Sequence, residues 1–397
     1  SRLDAIPPAE CAALMRALDL HRGLKRRLRD ECGMQVATNA ALKMYELLTQ
    51  MALVADAGGG APPAEVRAFC NAELPGAFVA AINHYVRTLR PGVRLSWLAS
   101  SYVPAAGAAD GAGGAAGAGG AGGAAGTGTP LGDQYGLYAG NRSRWLMGPR
   151  PNGLPAGAPP LTGNLLDAGT VAALAAAVRA RHAGARHAGA TLYTSDAGVD
   201  VSADYNRQEE LTAWLNFGQV LAGLLALAPG GHLVTKQYTF AAPFSRSLIA
   251  LVAALFDEAF VTKPLASRPA NSEVYVVGRG FRGVAPALAA ALLARRAAPP
   301  AGPLAAWPPL VAAPLRAAAD GALLRAAQQV HGRQQVAFLA EAAALHAQYR
   351  GRLGELGRAL APDARRAQAA WLAANPVRRI RREDLLPARP PAAPADA

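Results

Sequence analysis

Three charged residues sit where a folded chain tolerates them least. Lys236 lies inside the run HLVTKQYTF, Glu273 opens SEVYVVGRGF, and Asp196 follows TLYTS, each among residues that belong in a core. A charge at the end of a buried strand is costly unless it is paired or put to use. An amine held between carboxylates suits proton transfer. A lysine can act as a base when burial and neighbouring cations depress its own pKa, and the carboxylates orient it. No metal is needed, and the histidines and cysteines form no ligand pattern.

Regular elements must bring these groups together. Gly230-Gly231 is expected to turn the chain into the strand HLVTKQYTF, and Ser245 to start the helix SLIALVAALFDEAF, apolar on nearly every face. AFVTKP, stopped by Pro264, and SEVYVVGRGF read as a hairpin. TLYTS delivers Asp196 to a strand's carboxyl end, the edge where open α/β sheets bind ligands. Asp200 and Asp204 read as loop acids, with Asp204 capping a helix that buries Leu211, Leu215, Val220 and Leu224. Upstream, VRAFC runs into NAELPGAF and a helix, the strand–turn–helix place of a Rossmann-type cofactor site. The turn has one glycine, Gly76, stiffened by Pro75. Before it, Thr38 or Asn39 caps a helix with Leu42, Tyr45, Leu48 and Met51 on one stripe and Lys43 off it. The class is α/β: a Rossmann-like, doubly wound sheet with a helical C-terminal extension.

The stretch KPLASRPANSEVY, Lys263 to Tyr275, together with VTKQYTF and TSDAGVDVSADYNRQEE, resembles the FtsJ-like RNA ribose 2′-O-methyltransferases. The nearest likeness is to the cap-methylating branch of eukaryotes and large DNA viruses. That resemblance implies a Lys-Asp-Lys-Glu tetrad made of Lys43, Asp196, Lys236 and Glu273. It implies S-adenosylmethionine as cofactor, held by Glu73, Pro75, Gly76, Phe78, Asn164 and Asp196. Asn164 stands where the family usually has an aspartate, and its carbonyl oxygen can accept the same adenine hydrogen bond. The implied substrate is RNA, the 5′ cap region of mRNA first, and the implied partners are the capping or transcription machinery. A ribosomal RNA 2′-O-methyltransferase and an inactive RNA-binding or virion protein of the same fold are the alternatives.

Composition is compatible with this. The formal charge is +13 and the pI about 10.2, which favours a polyanionic partner, although arginine- and alanine-rich composition also follows from a GC-rich genome. Three unpatterned cysteines point to a reducing compartment: the cytoplasm, a virion if the source is viral, or the nucleus. No apolar run is long enough to span a bilayer and no signal-peptide pattern opens the chain, so a soluble protein without a membrane partner is expected. The organisation reads as a basic segment, 1–36, whose arginines face solvent or RNA, and a methyltransferase domain, 37–284. A flexible Gly/Ala insertion at about 105–129 interrupts that domain. A helical extension, 285–388, and a disordered tail, 389–397, follow. Tyr135, Tyr138 and Trp145 are expected to pack rather than stack on a base.

Overall fold

The computed structural model describes residues 6–54, 63–102, 132–147, 161–199, 201 and 204–389. The Gly/Ala insertion, Asp200 and residues 390–397 lie outside the described residues. The chain begins with helices α1 (Pro8–Ala17), α2 (Leu24–Cys32) and α3 (Asn39–Gln50). Strand β1 (Glu65–Asn71), helix α4 (Ala77–Leu89) and strand β2 (Arg94–Ser100) follow. After the short α5 (Leu137–Gly140) come α6 (Ala168–Arg181), β3 (Ala190–Ser195), α7 (Gln208–Ala226) and β4 (Leu227–Gln237). Helix α8 (Pro243–Leu255) then leads to the hairpin β5 (Phe256–Thr262) and β6 (Val274–Phe281).

The six strands pair in the order β2-β1-β3-β4-β6-β5. The first four are parallel, and β6 is antiparallel to both β4 and β5. The order reverses between β1 and β3, which is the switch point where such sheets bind ligands. One layer, α3 and α4, covers one face through Leu42, Tyr45, Phe78 and Ile82. The other layer, α6, α7 and α8, covers the opposite face through Val171, Phe217, Val220 and Leu251.

Two boundaries differ from the sequence reading. DEAF is strand, not helix: α8 stops at Leu255 because the ladder from Phe256↔Phe281 to Thr262↔Tyr275 takes up the following backbone. The Phe256 and Phe281 rings, 5.1 Å apart, pack that turn. Strand β4 runs directly out of α7 through Gly230-Gly231 rather than starting after them, and the register with β3 shifts between Ala190 and Leu192. Leu211 is exposed while Leu215, Val220 and Leu224 are buried. Asp204 accepts the Asn206 N–H at 3.0 Å, capping the 3-10 turn that precedes α7.

The C-terminal helices pack back onto this body. Helix α9 (Pro286–Ala297) lies against α6 and α7. Helices α10 (Ala313–Ala319), α11 (Arg325–Ala327) and α12 (Arg333–Gln348) follow one another through two π-helical turns. Helix α13 (Leu353–Ala359) shares a small core with α1, made by Leu14, Leu18, Ala342 and Leu356. Helix α14 (Ala361–Ala374) ends in an extended arm over α2 and α4. Trp145 is buried, edge-on to Trp97 and Tyr138, so that aromatic cluster is packing. Among the described residues no helix is long and apolar enough to cross a membrane.

Candidate active site

Sheet register sets the site. Asn71, Ser195 and Thr235 end up level at the carboxyl edge of β1, β3 and β4, so Asp196 and Lys236 are the next residues outward on neighbouring strands. Because β6 runs antiparallel, its beginning lies at that same edge. Lys236 pairs with Tyr275, and Glu273 sits just before Val274. A parallel last strand would carry Glu273 to the far side of the sheet.

Lys43 reaches this edge from α3, whose N-cap is Thr38, accepting the Ala41 N–H at 3.2 Å. The off-stripe face holding Lys43 is not solvated: the lysine is 4% exposed, and its Nζ donates to Glu273 Oε1 at 2.8 Å. Ser267 donates to the same oxygen at 2.6 Å. Lys236 Nζ donates to the Asp196 carbonyl at 2.8 Å and lies 3.3 Å from its Oδ1. The Tyr275 hydroxyl donates to Asp196 Oδ1 at 2.8 Å, and Lys43 Nζ stands 5.6 Å from the centre of the same ring. Two buried ion pairs therefore meet around one tyrosine.

Their electrostatics are asymmetric. Burial opposes ionisation of Glu273, but Lys43, Lys236 and the Ser267 hydroxyl outweigh it and bring its pKa down to about 2. Burial by itself would lower the pKa of Lys236; the negative charges of Asp196 and Glu273 more than offset this, and it is raised. The expectation of a depressed lysine is corrected here: Asp196 holds Lys236 as an ammonium. The depressed lysine is Lys263, brought down to about 8 by burial and by Lys43, against Glu273. Its amine donates to the Asn271 and Glu273 carbonyls, at 2.7 and 2.8 Å, and ties the loop before β6.

The cofactor candidates divide. Gly76 has φ +103°, in the left-handed region, and an added Cβ would run into the Leu137 side chain. Glu73 is buried and accepts the Val79 N–H at 2.9 Å, in the first turn of α4. Burial, reinforced by Asp196, pushes its pKa to about 8. Pro75 lines the turn, half-buried. Phe78 is core, its ring 6.4 Å from that of Tyr275. Asn164 Oδ1 accepts the Leu166 N–H at 3.0 Å, and Asp167 caps α6. Two carboxyl groups, Glu73 and Asp196, thus lie near each other at the switch point beside a glycine turn. That donor set fits S-adenosylmethionine, whose amine and sulfonium are cationic.

Sequence reasoning passed over four supports. Glu46, one turn after Lys43, accepts the backbone N–H groups of Leu265 and Ala266 at 2.7 and 3.2 Å and the indole N–H of Trp371 at 3.0 Å. Burial raises its pKa despite those donors. Ser267 and Tyr275 belong to the Lys263–Tyr275 stretch that carries the resemblance, but the sequence alone assigned them no role in the site. Gln219 of α7 accepts the Ala197 N–H at 3.2 Å beside Asp196. A second charge on the Lys43 face of α3 was the one available signal for Glu46. Among the described residues no metal-holding group of histidine, cysteine and acid side chains occurs.

Residues 154–281 match the profile of the FtsJ-like methyltransferase family. A protein of African swine fever virus described as "Probable methyltransferase" is 36% identical over 268 residues, covering 67% of this chain and 54% of the viral protein. The cap-specific mRNA (nucleoside-2′-O-)-methyltransferase 2 of Drosophila melanogaster is 28% identical over 255 residues, 63% of this chain and 31% of that protein. Its Mus musculus counterpart is 27% identical over 249 residues, 63% and 28% of the two chains. The chain spans about half the length, or less, of these curated relatives. The human methyltransferase-like protein 13 in complex with SAH aligns at a TM-score of 0.30 and 12% identity over 66% of this chain and 90% of its own, a likeness too weak to add to the sheet order.

Proposed function

We propose that the chain, whose residues 154–281 match the FtsJ-like methyltransferase profile, is an S-adenosylmethionine-dependent RNA ribose 2′-O-methyltransferase acting on the 5′ cap region of mRNA. The observation that carries this reading is the pair of buried ion pairs, Lys43–Glu273 and Lys236–Asp196, at the carboxyl edge of the sheet. S-adenosylmethionine, when bound, supplies an electrophilic methyl group. Asp196 would offer it negative charge, and Glu73 would offer a buried carboxyl that is mostly protonated at neutral pH and can release its proton to a cation. Gly76 would let the backbone approach, and the Asn164 side chain would accept from the adenine amino group.

The protein's own work concerns the nucleophile. A ribose hydroxyl keeps its proton at neutral pH, so its oxygen attacks only as that proton leaves. Lys236 is the base in this reading. Asp196 orients it and holds it as an ammonium at rest, so the neutral amine is a minor form that grows about tenfold per pH unit below its pKa. Lys43, paired with the Glu273 carboxylate that Ser267 also holds, supplies a second positive charge that stabilises the oxyanion as it develops. The low dielectric of a buried site strengthens that interaction. The cap-specific mRNA relatives and the formal charge of +13 support an RNA substrate.

The test is methyl transfer from labelled S-adenosylmethionine to a short RNA, with and without a cap, by wild type and Lys236→Ala. Label on capped RNA alone, lost in the variant, is expected. Equal label on both RNAs moves the assignment to a general RNA methyltransferase such as a ribosomal one. No label on either, with no cofactor binding, establishes the inactive RNA-binding protein.

A further inference from the structure

The two most cation-dense stretches of the chain lie at its opposite ends, Arg22–Arg29 and Arg378–Arg382, and the fold joins them. The Ile380 N–H donates to the Cys32 carbonyl at 3.0 Å, and the Arg379 guanidinium to the Glu31 carbonyl at 3.4 Å. The arm is not a loose tail. Asn83 donates to the Asp384 carbonyl at 2.8 Å, His84 Nε2 lies 2.8 Å from the Arg378 carbonyl, and Gln35 donates to the Leu386 carbonyl at 2.8 Å. The backbone is thus anchored inward, while Arg378, Arg379, Arg381 and Arg382 are exposed.

Helix α2 presents the complementary arrangement. Leu24 and Leu28 are buried, and Arg26, Arg27 and Arg29 face out. Some of these charges are neutralised: Arg27 by Glu31 at 2.9 Å, Arg29 by Asp30 at 3.0 Å and Arg381 by Asp384 at 2.7 Å. Among the described residues, Arg22, Lys25, Arg26, Arg378, Arg379 and Arg382 have no acidic partner. Between helix and arm runs a cleft of about 280 Å³ lined by Leu28, Cys32, Leu372, Pro376 and Val377 together with Arg27, Arg378 and the Glu31 that pairs with Arg27.

We propose that this face binds the phosphodiester backbone of the RNA strand beyond the reacting ribose, one base entering the cleft. The inference rests on the RNA reading above. Arginines fixed on anchored backbone suit phosphate oxygens, and such contacts position a strand without reading its sequence. The guanidinium planes of Arg27 and Arg378 at the cleft can stack on a base face, with the aliphatic walls beneath. The surface is also joined to the catalytic layer. The Tyr45 hydroxyl on α3 donates to the Pro376 carbonyl at 3.0 Å, and Trp371 of α14 reaches Glu46, one turn from Lys43.

The experiment uses the full chain and two triple variants, Arg378→Ala/Arg379→Ala/Arg382→Ala and Arg22→Ala/Lys25→Ala/Arg26→Ala, each checked for unchanged melting temperature. Anisotropy of a fluorescent single-stranded RNA, titrated at several salt concentrations, is compared with methyl transfer to a capped dinucleotide. Each variant is expected to bind RNA about tenfold more weakly, with the salt slope reduced by about 2 for three lost phosphate contacts. Transfer to the capped dinucleotide stays at the wild-type rate. RNA affinity and salt slope equal to wild type in both variants overturn the proposal and leave the enzymatic reading intact. A wild type that binds no RNA overturns both. A labelled polyglutamate bound as tightly as RNA, and lost in the variants, assigns the face to an acidic protein and overturns the RNA proposal.

Discussion

The indole N–H of Trp371 donates to the Glu46 carboxylate at 3.0 Å, joining the last helix to the one that carries Lys43. The same carboxylate holds the backbone of Leu265 and Ala266, which leads to Ser267 and Glu273. The C-terminal helices therefore reach the site through one buried acceptor. Trp371→Phe keeps a ring in place and removes the donor. A hydrogen bond to a buried charged group contributes about 1.5–3 kcal/mol, so a loss of that size in urea unfolding is expected. The turnover rate should fall several-fold while cofactor affinity holds. Wild-type stability and rate together would show that α14 merely covers the body.

Asp196 sets the protonation of Lys236, which gives a pH signature. Its carboxylate raises the lysine pKa, so the base form is scarce at neutral pH and log kcat should climb with pH from about 6 to 9 with a slope near one. Asp196→Asn removes the charge that favours the ammonium, and the rising limb should move to lower pH even though the maximal rate falls. A limb that stays put in Asp196→Asn excludes Lys236 as the titrating base. Lys236→Ala is expected to lose about 10²–10⁴-fold in rate, the usual yield of a positioned base.

Glu73 offers a stability test independent of activity. Its folded pKa of about 8 lies above the ordinary 4.5, so between those values the folded state binds the proton and the unfolded state releases it. Stability from this group is complete below about pH 4.5 and is lost as pH rises through 8. Glu73→Gln keeps an acceptor for the Val79 N–H and has no proton to lose. Its melting temperature should decline less than that of wild type between pH 5 and 8. Parallel curves would place the carboxylate in contact with water or a cation.

Much of this was legible because strand ends announce themselves. TLYTS and VTKQ are short apolar runs ending in a charge, and register then dictates that Asp196 and Lys236 be neighbours. The hairpin after α8 was legible too, and its reversed last strand explains Glu273. What stayed hidden depends on contacts between segments hundreds of residues apart. No local pattern shows that Glu46 meets Trp371, or that the Arg378 arm lies on Cys32. Lys236 shows a different limit. Burial can be read from its neighbours, but the sign of its shift depends on how close Asp196 comes, which only the folded geometry fixes.

Arg296 shows how the extension reaches the loop that carries Asn164, the proposed adenine contact. It is 1% exposed, and its guanidinium donates to the carbonyls of Leu165 and Trp214 while its centre lies 4.5 Å from the Trp214 ring. Burial, against the opposing charge of Asp167, brings its pKa down to about 9, so it remains a cation at neutral pH. Leu165 adjoins Asn164, and Gly218 of α7 admits the Leu165 carbonyl where a Cβ could not fit. A lysine cannot reproduce this fork: it offers a point charge, no planar stack and different donor directions. Arg296→Lys should therefore weaken S-adenosylmethionine binding about tenfold in calorimetry, roughly 1.4 kcal/mol, and leave the RNA affinity measured by anisotropy unchanged. Equal loss of both would mean that the substitution unsettles the whole α7–α9 layer; loss of neither would remove α9 from the cofactor site altogether.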